Sequence, residues 1–273
     1  MAFRIATNVA SINTQRWLAI AQAGMNKSLE RLSSGYKINK AADDAAGSAI
    51  ALKLNVKAVS LSKAIDNGNQ ALAMLQTAES GINEIGNILT RLKELATQAA
   101  SDTVSDEERG YLNTEAGKLV QEITKIANNT KYGAVSLIDD NHTYTFQLGN
   151  LNDQDEQIGV GFVKMTAEAL GVESISLATI SDAQDALDTI DEAVTTLNET
   201  KASIGAAMNQ ISYHVANMSA MYENTMAAQS TIKDADFAKE MAEFTKYQII
   251  TQSGIAMLAQ ANQVPQLILS LMR

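Results

Sequence analysis

One run of positions in the C-terminal half steps by three and four without a break: Leu187, Ile190, Val194, Leu197, Lys201, Ile204, Met208, Ile211, Val215, Met218, Tyr222 and Thr225. That spacing puts the side chains on a single seam of an α-helix, the coiled-coil pattern. Lys201 and Thr225 are the poor core residues in it. The seam predicts a helix from 182 to about 230, roughly 70 Å long at 1.5 Å per residue. A stripe of this length cannot bury itself, so the chain must bring partner helices to it.

Upstream seams answer it. Leu75, Ala78, Ile82, Ile85, Leu89, Leu92, Ala96 and Ala99 form one, and Leu112, Ala116, Leu119, Ile123 and Ile126 a shorter one. Ser105 and Glu108 have the spacing of a capping box at the start of the second. Residues 100–106, between them, read as a loop. A single proline in 273 residues removes the commonest helix breaker, and 5% aromatics is thin for a sandwich or a ligand-lined core. The middle changes period: Tyr144, Phe146 and Leu148 alternate with polar residues, as do Ile158, Val160 and Phe162 beyond a polar turn. This predicts a β-hairpin near 143–163. The fold class is therefore mainly α, a long antiparallel helical bundle with a small β-hairpin.

The two ends differ from the bundle. Residues 5–32 and 236–271 have helical spacing but no clean polar face, and Gly35 marks a break after the first. From Tyr247 to Met272 there is no charge, yet six amides and Pro265 make a poor lipid span. Pro265 predicts a local bend rather than a stop. The start, with Arg4 and Arg16 and no compact apolar run, reads as lacking a cleavable signal peptide. Net charge is −10. Residues 1–40 carry +5 and 233–273 are balanced, so 41–232 carry −15, which argues against nucleic acid as a partner.

Chemistry is sparse. There is no cysteine, and neither His142 nor His214 opens an HExxH zinc motif. Two histidines cannot support a Ser/His/Asp arrangement, and phosphate-cradling glycine loops are absent. Asp43 and Asp44 are adjacent and point about 100° apart on a helix, so they read as a cap or polar connector rather than a catalytic pair. The expectation is no enzyme, no cofactor and no metal.

The ends carry a resemblance. NVASINTQRWL (8–18) with SLERLSSGYKINKAADDAAGSAIA (28–51), GINEIGNILTRLKELATQAAS (81–101), IKDADFAKEMAEF (232–244) and LAQANQVPQLILSLMR (258–273) resemble the signatures of bacterial flagellin in the correct order. The resemblance covers roughly 1–140 and 180–273, with no room for large outer domains. It implies a subunit that stacks into the helical filament of a swimming bacterium. The N- and C-terminal helices would pair as a coiled coil, 1–44 with 236–273 forming an inner layer and 45–235 a bundle domain outside it. Heterologous contacts that do not close into a ring give an open helical polymer.

The resemblance also implies partners: copies of the chain itself, the flagellar cap, hook–filament junction proteins and an export chaperone on the C-terminal segment. No membrane partner is expected. Localisation would be extracellular, after type III export. Inner-core packing would fall to Ile5, Val9, Ile12, Trp17, Phe237, Met241, Phe244, Ile255, Leu258, Val264, Leu267, Leu269 and Leu271. Burying the tail's apolar side chains, at roughly 1.5–3 kcal/mol each, does not offset ordering it at about 1.5 kcal/mol per residue. Neighbouring subunits must therefore help. Some flagellins are recognised by Toll-like receptor 5, and that motif maps onto Arg91, Leu95, Gln98 and Glu115, with departures at Thr90 and Lys93. The rival readings are a hook–filament junction protein, which shares the terminal design, and a helical type III translocator or scaffold, which would not need the matched ends.

Overall fold

The computed structural model describes residues 7–149, 153 and 156–271, with 264–271 described by backbone alone. In chain order the elements are α1 (Val9–Ser34), α2 (Ala45–Ala99), α3 (Asp106–Asn129), β1 (Lys131–Tyr132), β2 (Val135–Ser136), β3 (His142–Gln147), β4 (Gln157–Phe162), α4 (Ile180–Lys233) and α5 (Phe237–Leu271). They form two compact units, one of 58–223 and one of 1–57 with 224–273.

In the larger unit the seams find each other. Leu75, Ala78, Ile82, Ile85, Leu89, Leu92, Ala96 and Ala99 of α2 are all fully buried, with Ile190, Ile204 and Ile211 of α4 and Ile123 of α3 in the same core. Facing pairs run in opposite order along the two long helices. Gly68 meets Val215, Gly86 meets Leu197, and the Lys93 ammonium pairs with Asp191, so α2 and α4 are antiparallel. At Lys201 the seam steps one residue back. Lys201 stays in solvent, while Thr200 is buried and its hydroxyl donates to the Thr196 carbonyl at 3.0 Å. A threonine satisfied by its own helix fills the seam where a lysine would need a buried counter-ion.

Local chemistry sets the boundaries. Ser105 Oγ accepts from the Glu108 N–H and Glu108 Oε2 accepts from the Ser105 N–H, the reciprocal box expected at α3. Asp44 accepts from the Gly47 N–H at the start of α2, and Asp236 from the N–H groups of Ala238 and Lys239 at the start of α5. Gly35 ends α1 at φ 75°, a left-handed cap that glycine adopts without strain. α5 does not stop at Pro265.

The hairpin β3–β4 pairs Tyr144 with Val160 and Phe146 with Ile158. Ile158, Val160 and Phe162 face the core. Two features lie outside the expectations. Lys131–Tyr132 and Val135–Ser136 make a second, minimal hairpin around Gly133 at φ 62°. The segment after β4 is no mere linker: Met165, Ala167, Leu170, Val172 and Leu177 are buried in the main core.

Candidate assembly interface

The smaller unit is built on α1 against α5. Asn8 caps α1 through Oδ1, which accepts from the Ser11 N–H, and its Nδ2 donates across to the Ala261 carbonyl at 2.8 Å. At the other end Arg31 meets Glu240 at 3.5 Å. Between them Leu18 touches Gly254 and Gly24 lies under the Tyr247 ring, so these two helices are also antiparallel. Their backbones come within 8 Å of one another along a sustained stretch. Small residues permit this. The buried residues of α1 are Ser11, Ala21 and Ser28, and of these only alanine is apolar.

A seam of serine, alanine and glycine holds two helices close but buries little apolar area. The large side chains point elsewhere. Val9 is 63% exposed, Trp17 57% and Phe237 66%, and Ile12, Met241 and Ile255 are exposed too. Phe244 and Leu258 are half-buried. Ile5 and the side chains of Val264, Leu267, Leu269 and Leu271 lie outside the described residues. Most of the large apolar side chains left exposed among the described residues belong to this unit. They include Ile20, Ile249, Ile250 and Met257, which the sequence reading did not single out. The signal for Ile249, Ile250 and Met257 was present in the charge-free run from Tyr247. The residues that set the helix spacing (Gly24, Gly254, Ser11, Ser28) were missed because small residues carry no periodic hydrophobic signal.

The Gly35 end of this unit is fastened by polar contacts. The connector after α1 forms an antiparallel bridge, Tyr36 opposite Asp234. The Lys37 N–H donates to the Lys233 carbonyl and the Ala235 N–H to the Gly35 carbonyl. The Lys233 ammonium lies 4.1 Å from the centre of the Tyr36 ring. Asp43 pairs with Lys27 at 2.8 Å and accepts from the N–H groups of Asn39 and Lys40. The Lys27 hydrogen bond first, then the Lys40 N–H, hold the Asp43 carboxyl down at about 2. Both aspartates of the AADDAA stretch thus serve as connector and cap.

A second surface lies on the larger unit. The Arg91 guanidinium donates Nε and Nη2 to Glu115 Oε1, at 3.1 and 2.9 Å, and Nη1 to Glu94. These carboxylates, Glu94 foremost, raise its already high pKa. Gln98 is exposed on the same helix. Leu95, grouped with them at the sequence level, is 1% exposed and packs into the core, so it positions α2 and offers no surface of its own. Among the described residues no group of metal-ligating side chains converges, and no helix is long and apolar enough to cross a membrane.

Comparison with known proteins gives two family matches in order along the chain. The bacterial flagellin N-terminal helical region matches residues 5–143 and the C-terminal helical region residues 187–272. A flagellin of Listeria innocua is 34% identical over 98% of this chain and 99% of its own. The flagellar filament 33 kDa core protein of Treponema phagedenis is 37% identical over 97% of this chain and 98% of its own. The crystal structure of Bacillus cereus flagellin is 24% identical and superposes with a TM-score of 0.49, covering 56% of this chain and 88% of that one.

Proposed function

Because the chain belongs to the bacterial flagellin family, we propose that its terminal helices form the inner layer of the filament by covering their apolar faces with those of neighbouring copies. The chain is a structural subunit of the flagellar filament. The finer reading concerns how it assembles. In it, residues 1–44 and 236–273 make the inner layer and 45–235 the layer outside.

One observation carries this reading. α1 and α5 pair along small residues and leave Val9, Ile12, Trp17, Phe237 and Ile255 in water. Each such side chain is worth roughly 1.5–3 kcal/mol once buried. The amides spread through 248–266 supply hydrogen bonds in a packed, wet interface without the desolvation cost of ions. Cap and junction proteins would meet the same terminal surfaces at the two ends of the polymer. A chaperone that holds the C-terminal segment would keep them apart before export.

Deleting 258–273 and imaging the product after a polymerisation trial tests the reading. A protein that stays monomeric supports it, and normal filaments contradict it. A second reading rests on the exposed Arg91, Gln98 and Glu115, which offer an innate immune receptor a charged and amide surface. Receptor reporter activity that is unchanged in Arg91→Ala removes that site.

A further inference from the structure

Helix α2 contains the only Asn-Gly step of the sequence, Asn67–Gly68. Glycine is among the poorest interior residues of a helix, so its place needs a reason. Packing supplies one: a Cβ at position 68 would stand 2.4 Å from Val215 Cγ2 on α4, and the two helices close over a hydrogen atom instead. Asn67 is held for a separate reason. Its Nδ2 donates to the Gln147 carbonyl at 3.2 Å and ties β3 to α2. Together these demands set a side-chain amide beside a backbone N–H that no Cβ shields. That pair closes a five-membered ring more readily than any other asparagine step.

We propose that Asn67 is a spontaneous deamidation site, shut in the folded subunit and open whenever this part of α2 unfolds. The Gly68 backbone nitrogen attacks Asn67 Cγ and gives its proton to solvent base. The Cγ–Nδ2 bond breaks, ammonia leaves and a succinimide remains. Water then adds to one of the two ring carbonyls and opens the ring to aspartate or isoaspartate at 67. Water is the only reagent consumed.

Folding blocks the first step in two ways. Inside the helix the Gly68 N–H is committed to the carbonyl four residues back, and helical dihedrals hold the nitrogen away from an attacking approach. The Asn67 amide is also engaged with Gln147. Once formed, the product opposes refolding at this point. A carboxylate would face the Gln147 carbonyl beside Asp66, and isoaspartate would lengthen the backbone of a helix interior. The modification therefore records time spent unfolded, independently of how the filament is built.

The test incubates the full chain at mildly alkaline pH in native buffer and in urea, then follows the tryptic peptide 64–91 by mass and fragmentation. The expected result is amide loss at Asn67 in urea, at least about tenfold faster than in native buffer. Asn69, Asn83 and Asn87 of the same peptide serve as internal references and stay intact. In urea, where packing no longer matters, Gly68→Ala should suppress the reaction. Equal rates in the two conditions would overturn the proposal, as would Asn67 reacting no faster than Asn69 in urea.

Discussion

The Tyr247 ring lies directly on Gly24, so close that a Cβ built at position 24 would sit 2.6 Å from the ring's Cζ. This contact, with Leu18 against Gly254, sets the distance between the terminal helices. Gly24→Ala gains about 1 kcal/mol of helix propensity but forces the ring aside, an overpacking cost of roughly 1–3 kcal/mol. The expected net effect is a lower melting temperature for assembled protein. Adding Tyr247→Ala should relieve the clash, so a thermal double-mutant cycle should show coupling between the two positions.

Replacing an exposed apolar side chain of α1 by a charge should leave the monomer folded and stop assembly. Ile12 is 58% exposed in the single chain, so Ile12→Asp disturbs little there. In a packed interface the same change loses roughly 1.5–3 kcal/mol of burial and adds an unpaired charge. Circular dichroism should match the parent protein, and sedimentation after a polymerisation trial should leave the variant in the supernatant.

Leu89→Ala probes the other unit. Leu89 is fully buried between α2 and its partners, and truncation should cost about 2–5 kcal/mol. Urea unfolding monitored by circular dichroism measures it.

Asp43 predicts an acid response with a definite sign. Its carboxyl is held at about 2 in the folded chain, chiefly by Lys27, below its ordinary value. The unfolded chain therefore binds the proton first. The stabilisation is fully present above the unfolded value near 4 and is lost as pH falls towards 2. Asp43→Asn should lower the melting temperature at neutral pH. The difference from the parent should shrink between about pH 4 and 2.

These predictions draw on parts of the molecule that differ in how far the sequence reveals them. The α2 seam from Leu75 to Ala99 is buried residue for residue as its spacing implies, because one helix face packs on one core. The capping box at Ser105 and the hairpin alternation are likewise local signals. Lys131–Ser136 escaped because two-residue strands leave no period to read, and 165–177 because its burial depends on distant helices. The α1–α5 pairing was legible only through resemblance. α1 buries Ser11, Ala21 and Ser28 and lays Gly24 under Tyr247, and hydrophobic patterning passes over such small residues. Its apolar faces look out of place until neighbouring copies are considered.

Trp17 offers the most direct test, since it is the chain's only tryptophan and lies on the exposed face of α1. Its fluorescence quenching by acrylamide should be measured in monomer and in polymerised protein under the same buffer. Burial by neighbouring copies predicts a blue-shifted emission and a marked loss of quenching on polymerisation. Filaments in which Trp17 remains as quenchable as in the monomer would contradict the assignment of α1 to the inner interface.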